Sequence, residues 1–313
     1  MLGAALDQRY SHPSQEGRRV RQAVGDACAA FLDAGLGDAN AMQKLSSAND
    51  SIYWQQFSEV LLAHAIQRAG LAISHSKEGP DFLIAHGGRK VWIEVICPEP
   101  SGLPREWTQH ALGTVINHPH EALLLRWTAA IKEKAEKLLG NPERNVKGYI
   151  EKGIVRPDDA YVIAVNGRLL RSAPGVFPEL FGISQFPFAV EATFAVGPIQ
   201  VHIDRGSGKA SGFDHQHRPV IPKPNGSAVP AYSFLDAAFA PVSAVWAVDI
   251  DEKLLLEKAS DMVVVHNPLS RAPLSRNLLP NHFEYIAADL GDKYELNRIP
   301  GKPVSLGQTP QSA

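Results

Sequence analysis

From residue 15 onward the chain alternates between helically spaced apolar residues and short apolar runs bounded by glycine and proline. Val20, Ala23, Val24, Ala27, Phe31 and Leu32 recur at three- and four-residue intervals. They predict an amphipathic helix over 15–36, stopped by Gly35 and Gly37. A polar stretch holding Ser46, Ser47 and Asn49 leads to Asp50 or Ser51 as the cap of a second helix, over about 52–69. Phe57, Leu61, Leu62, Ala65, Ile66 and Ala69 form its apolar side, and Gly70 ends it. The period then shortens to that of strands. A short strand is expected over 71–74, with stronger ones over 81–85 and 90–97, the last two joined by a Gly87-Gly88 hairpin turn. Pro98 and Pro100 close the last of these. Residues 101–120 read as a long connection, and long connections are often functional. A helix over 121–139 follows, with Leu124, Trp127, Thr128, Ile131, Ala135 and Leu138 on one face. The run 160–166 has the composition of a buried strand.

The second half is rich in proline and glycine. It predicts strands over 190–196, 199–203, 242–250 and 262–266, a short helix over 233–239 and loop over 205–230. Residues 1–15 read as a flexible lead-in. The expected organisation is an N-terminal helical extension over 1–50, a core over 51–170, a loop-rich continuation of the same α/β domain over 171–300, and a disordered polar tail over 301–313. The fold class this implies is α/β, a mixed central sheet flanked by helices.

Composition narrows the picture. With 44% apolar and 20% charged residues the chain has a globular balance, and a net charge of −2 gives no global positive field to announce nucleic acid. No apolar run approaches the roughly 20 residues of a membrane span. The first residues lack the basic and apolar regions of a secretory signal, so a cytoplasmic location and no membrane partner are the expectation. Cys28 and Cys97 have no metal-ligand spacing and are expected to pack as small apolar residues. No Gly-x-Ser-x-Gly elbow, phosphate-binding P-loop or dinucleotide fingerprint occurs, which removes several enzyme classes.

The chemistry worth pursuing lies in the hairpin. Asp81 enters one apolar strand and Glu94 stands inside the next, within Val91-Trp92-Ile93-Glu94-Val95. Alternation puts Trp92, Glu94 and Ile96 on one side and Val91, Ile93 and Val95 on the other. A carboxylate among apolar neighbours is costly unless a cation offsets it, and hard divalent cations take carboxylate oxygens. Taken singly, Asp81 also suits a turn and Glu94 a half-open sheet face. His110, His118 and His120 in the connection could meet a phosphate, and His215 and His217, two apart beside Asp214, could hold a metal, though a solvated loop is the better account of them.

Pro80-Asp81 and Glu94, thirteen positions apart, with Glu59 on the preceding helix and a helix and strand following, resemble the PD-(D/E)xK nuclease superfamily over about residues 52–166. The resemblance implies a restriction-endonuclease-like core and Mg²⁺- or Mn²⁺-dependent hydrolysis of nucleic-acid phosphodiesters, with DNA favoured over RNA and a homodimer allowed. Asp81 and Glu94 would bind the metal and Glu59 would assist. The superfamily's lysine is expected two positions after the strand acid, where Ile96 stands. Some members supply that cation from a neighbouring helix. On helix 121–139, at about 100° per residue, Lys134 and Lys132 lie at the two edges of the apolar stripe, with Lys137 and Arg126 further round. Lys134 is the expected donor. The rival readings are an inactive nuclease-fold binding module and a small-molecule phosphoesterase.

Overall fold

In the computed structural model residues 2–109, 115–172, 180–258 and 261–303 are described. Four helices come first: α1 (Leu2–Arg9), α2 (Gln15–Asp33), α3 (Ala41–Leu45) and α4 (Asp50–Arg68). Next are β1 (Ile73–Ser74), β2 (Phe82–His86), β3 (Arg89–Ile96), the single-turn α5 (Arg105–Thr108), the long α6 (His120–Leu139) and β4 (Ala160–Asn166). The second half adds α7 (Phe188–Phe194), β5 (Val196–Ile203), β6 (Ala210–His217), β7 (Val220–Pro222), β8 (Ala228–Pro230), β9 (Ala244–Asp249), β10 (Asp261–His266), β11 (Phe283–Asp289) and β12 (Tyr294–Pro300).

The fold is α/β, built on an eight-stranded mixed sheet in the order β1-β2-β3-β4-β9-β10-β11-β12. The β2–β3 hairpin is antiparallel, whereas β3–β4 and β4–β9 are parallel. The β9–β10 and β11–β12 pairs are antiparallel, and β10–β11 is parallel. Strand alternation divides the core in two. Val91, Ile93, Val95, Val162, Ala164 and Trp246 pack with α2 and α4 on one face. Trp92, Ile96, Tyr161, Ile163, Val165 and Val245 pack with α6 and α7 on the other. Both faces of β3 and β4 are therefore closed. The half-open face expected around Glu94 is instead roofed by α6, and Glu94 is 1% exposed. Among the described residues no helix is long and apolar enough to cross a membrane.

Several expectations need correction. Residues 2–9 are helical rather than a loose lead-in, because Leu6 buries in the core and Arg21 and Arg9 make ion pairs to Asp7 and Asp50. Residues 188–194, read partly as strand, form α7. All seven side chains are buried, and a short continuous apolar run does not separate a buried helix from a buried strand. Residues 205–230 are not loop throughout, since β6, β7 and β8 form small exposed hairpins with little apolar alternation to announce them. Strands β11 and β12 escaped the sequence pattern because β12 is mostly exposed and largely polar and β11, only partly buried, shows no strict apolar–polar alternation. Residues 304–313, most of the expected tail, lie outside the described residues.

Candidate functional site

The turn at Gly87-Gly88 sets the geometry. Both residues take positive φ, 58° and 77°, which glycine adopts without steric cost and a two-residue hairpin requires. His86 then pairs with Arg89 and, four steps along, Phe82 with Ile93. Continuing that register by one residue places Asp81 across from Glu94. Asp81 Oδ2 accepts a hydrogen bond from the Val95 backbone N–H at 2.6 Å, which ties the start of β2 to the neighbour of the strand acid. Gly79, two residues before Asp81, allows the close approach of Ser76, Trp92 and Ile154, since a Cβ there would meet those side chains at 3.1, 3.1 and 3.2 Å.

Glu94 points towards α6 and is countered by it. Lys134 Nζ lies 3.1 Å from Glu94 Oε1, and Lys137 Nζ lies 2.6 Å from the same oxygen. The Tyr149 hydroxyl donates to Oε2 at 3.4 Å. Lys134, the expected donor from α6, stands beside the strand acid. Lys137, placed further round, reaches it too, because residues three apart on a helix share a face and a lysine stem spans the remaining angle. Lys132 is exposed and lies 4.0 Å from Glu136. Ile96 packs in the apolar core beneath α6, so the strand position carries no cation. Tyr161 on β4 donates its hydroxyl to the Lys134 carbonyl at 2.9 Å, and Tyr149 N–H donates to the Lys137 carbonyl at 2.9 Å. Both lysine backbones are thereby pinned to the site.

Glu59 reaches the cluster from α4 and is 9% exposed. Its Oε2 accepts from Gln56 Nε2 at 2.6 Å. Burial, reinforced by the charge of Asp81, holds the Glu59 carboxyl well above the usual carboxylate range, so it favours its protonated form. Asp81 is raised to about 6, first by burial and then by the charge of Glu94, against the pull of Lys134. At Lys137 burial opposes the ammonium, but the charge of Glu94 outweighs it and the amine is held above its ordinary range. Burial and the nearby carboxylate push the Tyr149 phenol up to about 12, so it remains a donor. Three acids and two ammonium groups thus interact at the meeting of β2, β3, α4 and α6.

Among the described residues no group of three or more His, Cys, Asp and Glu is arranged to hold a metal ion. The donor chemistry nevertheless suits a hard cation. Mg²⁺ keeps much of its water and is commonly held by one or two carboxylates together with substrate phosphate. Asp81 and Glu94, brought together by the hairpin register, are the residues that could hold such a cation.

The histidines do other work. His110 lies outside the described residues. His120 opens α6 and its Nε2 bonds the buried Glu191, which also accepts from the Ser184 N–H at 2.9 Å. His118 stacks on His120 and Phe188. His215 stands on the exposed strand β6 with Nε2 3.0 Å from the Ser184 carbonyl, and His217 is exposed. Cys28 and Cys97 are buried free thiols. Of the residues not expected at the site, Lys137, placed further round α6, had one available signal, its i+3 spacing from Lys134. Tyr149 is brought in by a backbone turn that no spacing rule predicts. No family model, curated protein or solved structure matches this chain.

Proposed function

We propose that this protein is a metal-dependent nuclease of the PD-(D/E)xK, restriction-endonuclease-like class, hydrolysing nucleic-acid phosphodiester bonds, with DNA preferred to RNA. The observation that carries the reading is the pairing of a fully buried strand acid with a lysine from the neighbouring helix, Lys134 Nζ to Glu94 Oε1 at 3.1 Å, opposite Asp81. That lysine stands in for the one Ile96 displaces. In this reading Asp81 and Glu94 hold Mg²⁺ or Mn²⁺, which when bound polarises the phosphate and lowers the pKa of a water. Lys134 stabilises negative charge on the phosphate oxygens. Glu59 assists by orienting the attacking water.

Plasmid cleavage with Mg²⁺ or Mn²⁺ tests this. Wild-type protein is expected to nick or linearise DNA, and Glu94→Ala to lose at least about 100-fold of the rate, the scale on which a single charge-stabilising group acts. Cleavage that survives Glu94→Ala and Asp81→Ala would sink the assignment. The net charge of −2 favours one rival, a phosphoesterase of small molecules, because duplex binders commonly present a basic face. Hydrolysis of p-nitrophenyl phosphate esters by a protein that leaves DNA intact would transfer the same residues to that reading.

A further inference from the structure

The two lysines at Glu94 are not equivalent. Both ammonium groups fall on one oxygen, Oε1, at 3.1 and 2.6 Å. A carboxylate oxygen offers two lone-pair directions, and these two donors use both. A cation that takes Oε1 therefore competes with one of them, while Oε2 holds the Tyr149 hydroxyl at 3.4 Å. Lys134 has a side chain 7% exposed, and its carbonyl is held by the Tyr161 hydroxyl. Moving its ammonium off Glu94 would leave a buried, unpaired charge, which is strongly disfavoured. Lys137 has a side chain 45% exposed and sits one turn closer to the end of α6 at Gly140. Water can take over its ammonium with little penalty, and its flexible stem lets the charge swing while the backbone stays in place.

We infer that Lys137 is the exchangeable arm of the site: its ammonium and a divalent cation take turns on Glu94 Oε1, and the displaced ammonium becomes the contact for an anionic oxygen of the substrate. This rests on the metal-dependent reading above. Lys134 stays on Glu94 throughout as the fixed counter-charge. The exchange involves no covalent change. Lys137 remains protonated on both sides of it, and the cation's positive charge replaces that of the ammonium at the carboxylate. Metal entry and substrate contact are thereby linked through one side chain.

Two measurements on the full chain test this. Calorimetric titration with Mn²⁺ is expected to show tighter binding in Lys137→Met than in wild type, by about fivefold or more, equivalent to about 1 kcal/mol. Lys137→Gln should behave alike, and thermal unfolding checks that both variants fold. Amine-labelling mass spectrometry is expected to show Lys137 becoming more reactive when Mn²⁺ is added, with Lys134 protected in both conditions. Equal or weaker Mn²⁺ affinity in Lys137→Met and Lys137→Gln, or Lys137 labelling that does not rise in a protein shown to bind Mn²⁺, overturns the exchange and leaves the nuclease reading standing. Absence of Mn²⁺ binding in wild type and both variants overturns the exchange and the metal-dependent reading together.

Discussion

Asp81 and the two lysines show how strongly single side chains are placed against each other here. Asp81 has a folded-state pKa of about 6 against an ordinary 3.8, raised by burial and by Glu94. A raised acid binds its proton more tightly in the folded state than in the unfolded one. Its contribution to stability is therefore complete below about pH 4 and is lost as pH rises through about 6. Glu59 is shifted in the same direction. In metal-free buffer the unfolding temperature of wild type should thus fall relative to Asp81→Asn between about pH 4 and pH 6.5. A flat difference between the two proteins across that range would contradict the placement of Asp81. The lysines make a second contrast. Lys134→Met removes a buried partner from a buried carboxylate and should cost about 3 kcal/mol by urea unfolding. Lys137→Met removes a half-exposed one and should cost less than about 1 kcal/mol. Equal losses would mean that the difference in their burial does not govern their roles.

At the scale of elements, helix α6 and the turn that follows it decide whether the site assembles. Gly140 takes φ 83° and ends α6, after which the chain doubles back so that Gly148 lies against it. A Cβ on Gly148 would sit 2.3 Å from Gly140 N and from the Leu138 carbonyl oxygen, backbone atoms with nowhere to move. That close approach sets Tyr149 beside Lys137 and Glu94. Gly148→Ala is expected to destabilise by about 1–3 kcal/mol, the usual cost of forcing extra volume into packed structure. On the proposed nuclease reading it should also slow cleavage, by moving Tyr149 and the end of α6. Unfolding and plasmid assays on the same preparation check both, and a neutral substitution would count against the turn as a positioning device. Helix α6 was legible because its apolar stripe has the helical period and one face remains exposed. Helix α4 was legible from its spacing and its caps, but the burial of Gln56, Ser58 and Glu59 on it was not, since polar residues carry no periodic signal when a helix is enclosed on several sides.

Across the whole molecule the eight-stranded sheet brings first-half and second-half strands together, with β4 and β9 side by side at its centre. Arg171 locks their ends. Its Nε lies 2.6 Å from Asp249 Oδ1 and its Nη1 2.6 Å from Asp251 Oδ2, all three side chains being buried. Replacing one member of such a cluster strands the others without compensation. Arg171→Met should therefore cost about 3–5 kcal/mol and lower the unfolding midpoint in denaturant. A loss below about 1 kcal/mol would mean that the cluster adds little to the strand pairing and apolar packing that already join the two halves. This locking cluster had no sequence signature, because Asp249 and Asp251 lie about eighty residues from Arg171 and only the β4–β9 pairing brings them close.

The sequence by itself determined what depends on near neighbours: the 160–166 strand, the Gly87-Gly88 hairpin, the amphipathic stripe of α6, and the candidate acids Glu59, Asp81 and Glu94. Even the pairing of Asp81 with Glu94 was implicit in the two-residue turn, since hairpin register follows from turn length. Only the tertiary structure decided that the Glu94 face is closed, that Lys134 and Lys137 share one of its oxygens, and that Tyr149 completes the group. The physical reason is range. Propensity, capping and alternation act over a few residues, whereas the cation that balances a buried charge is set by which helix lies over which strand. Here that helix begins some twenty-five residues after Glu94, and its two lysines arrive one turn apart on the face it turns towards the sheet.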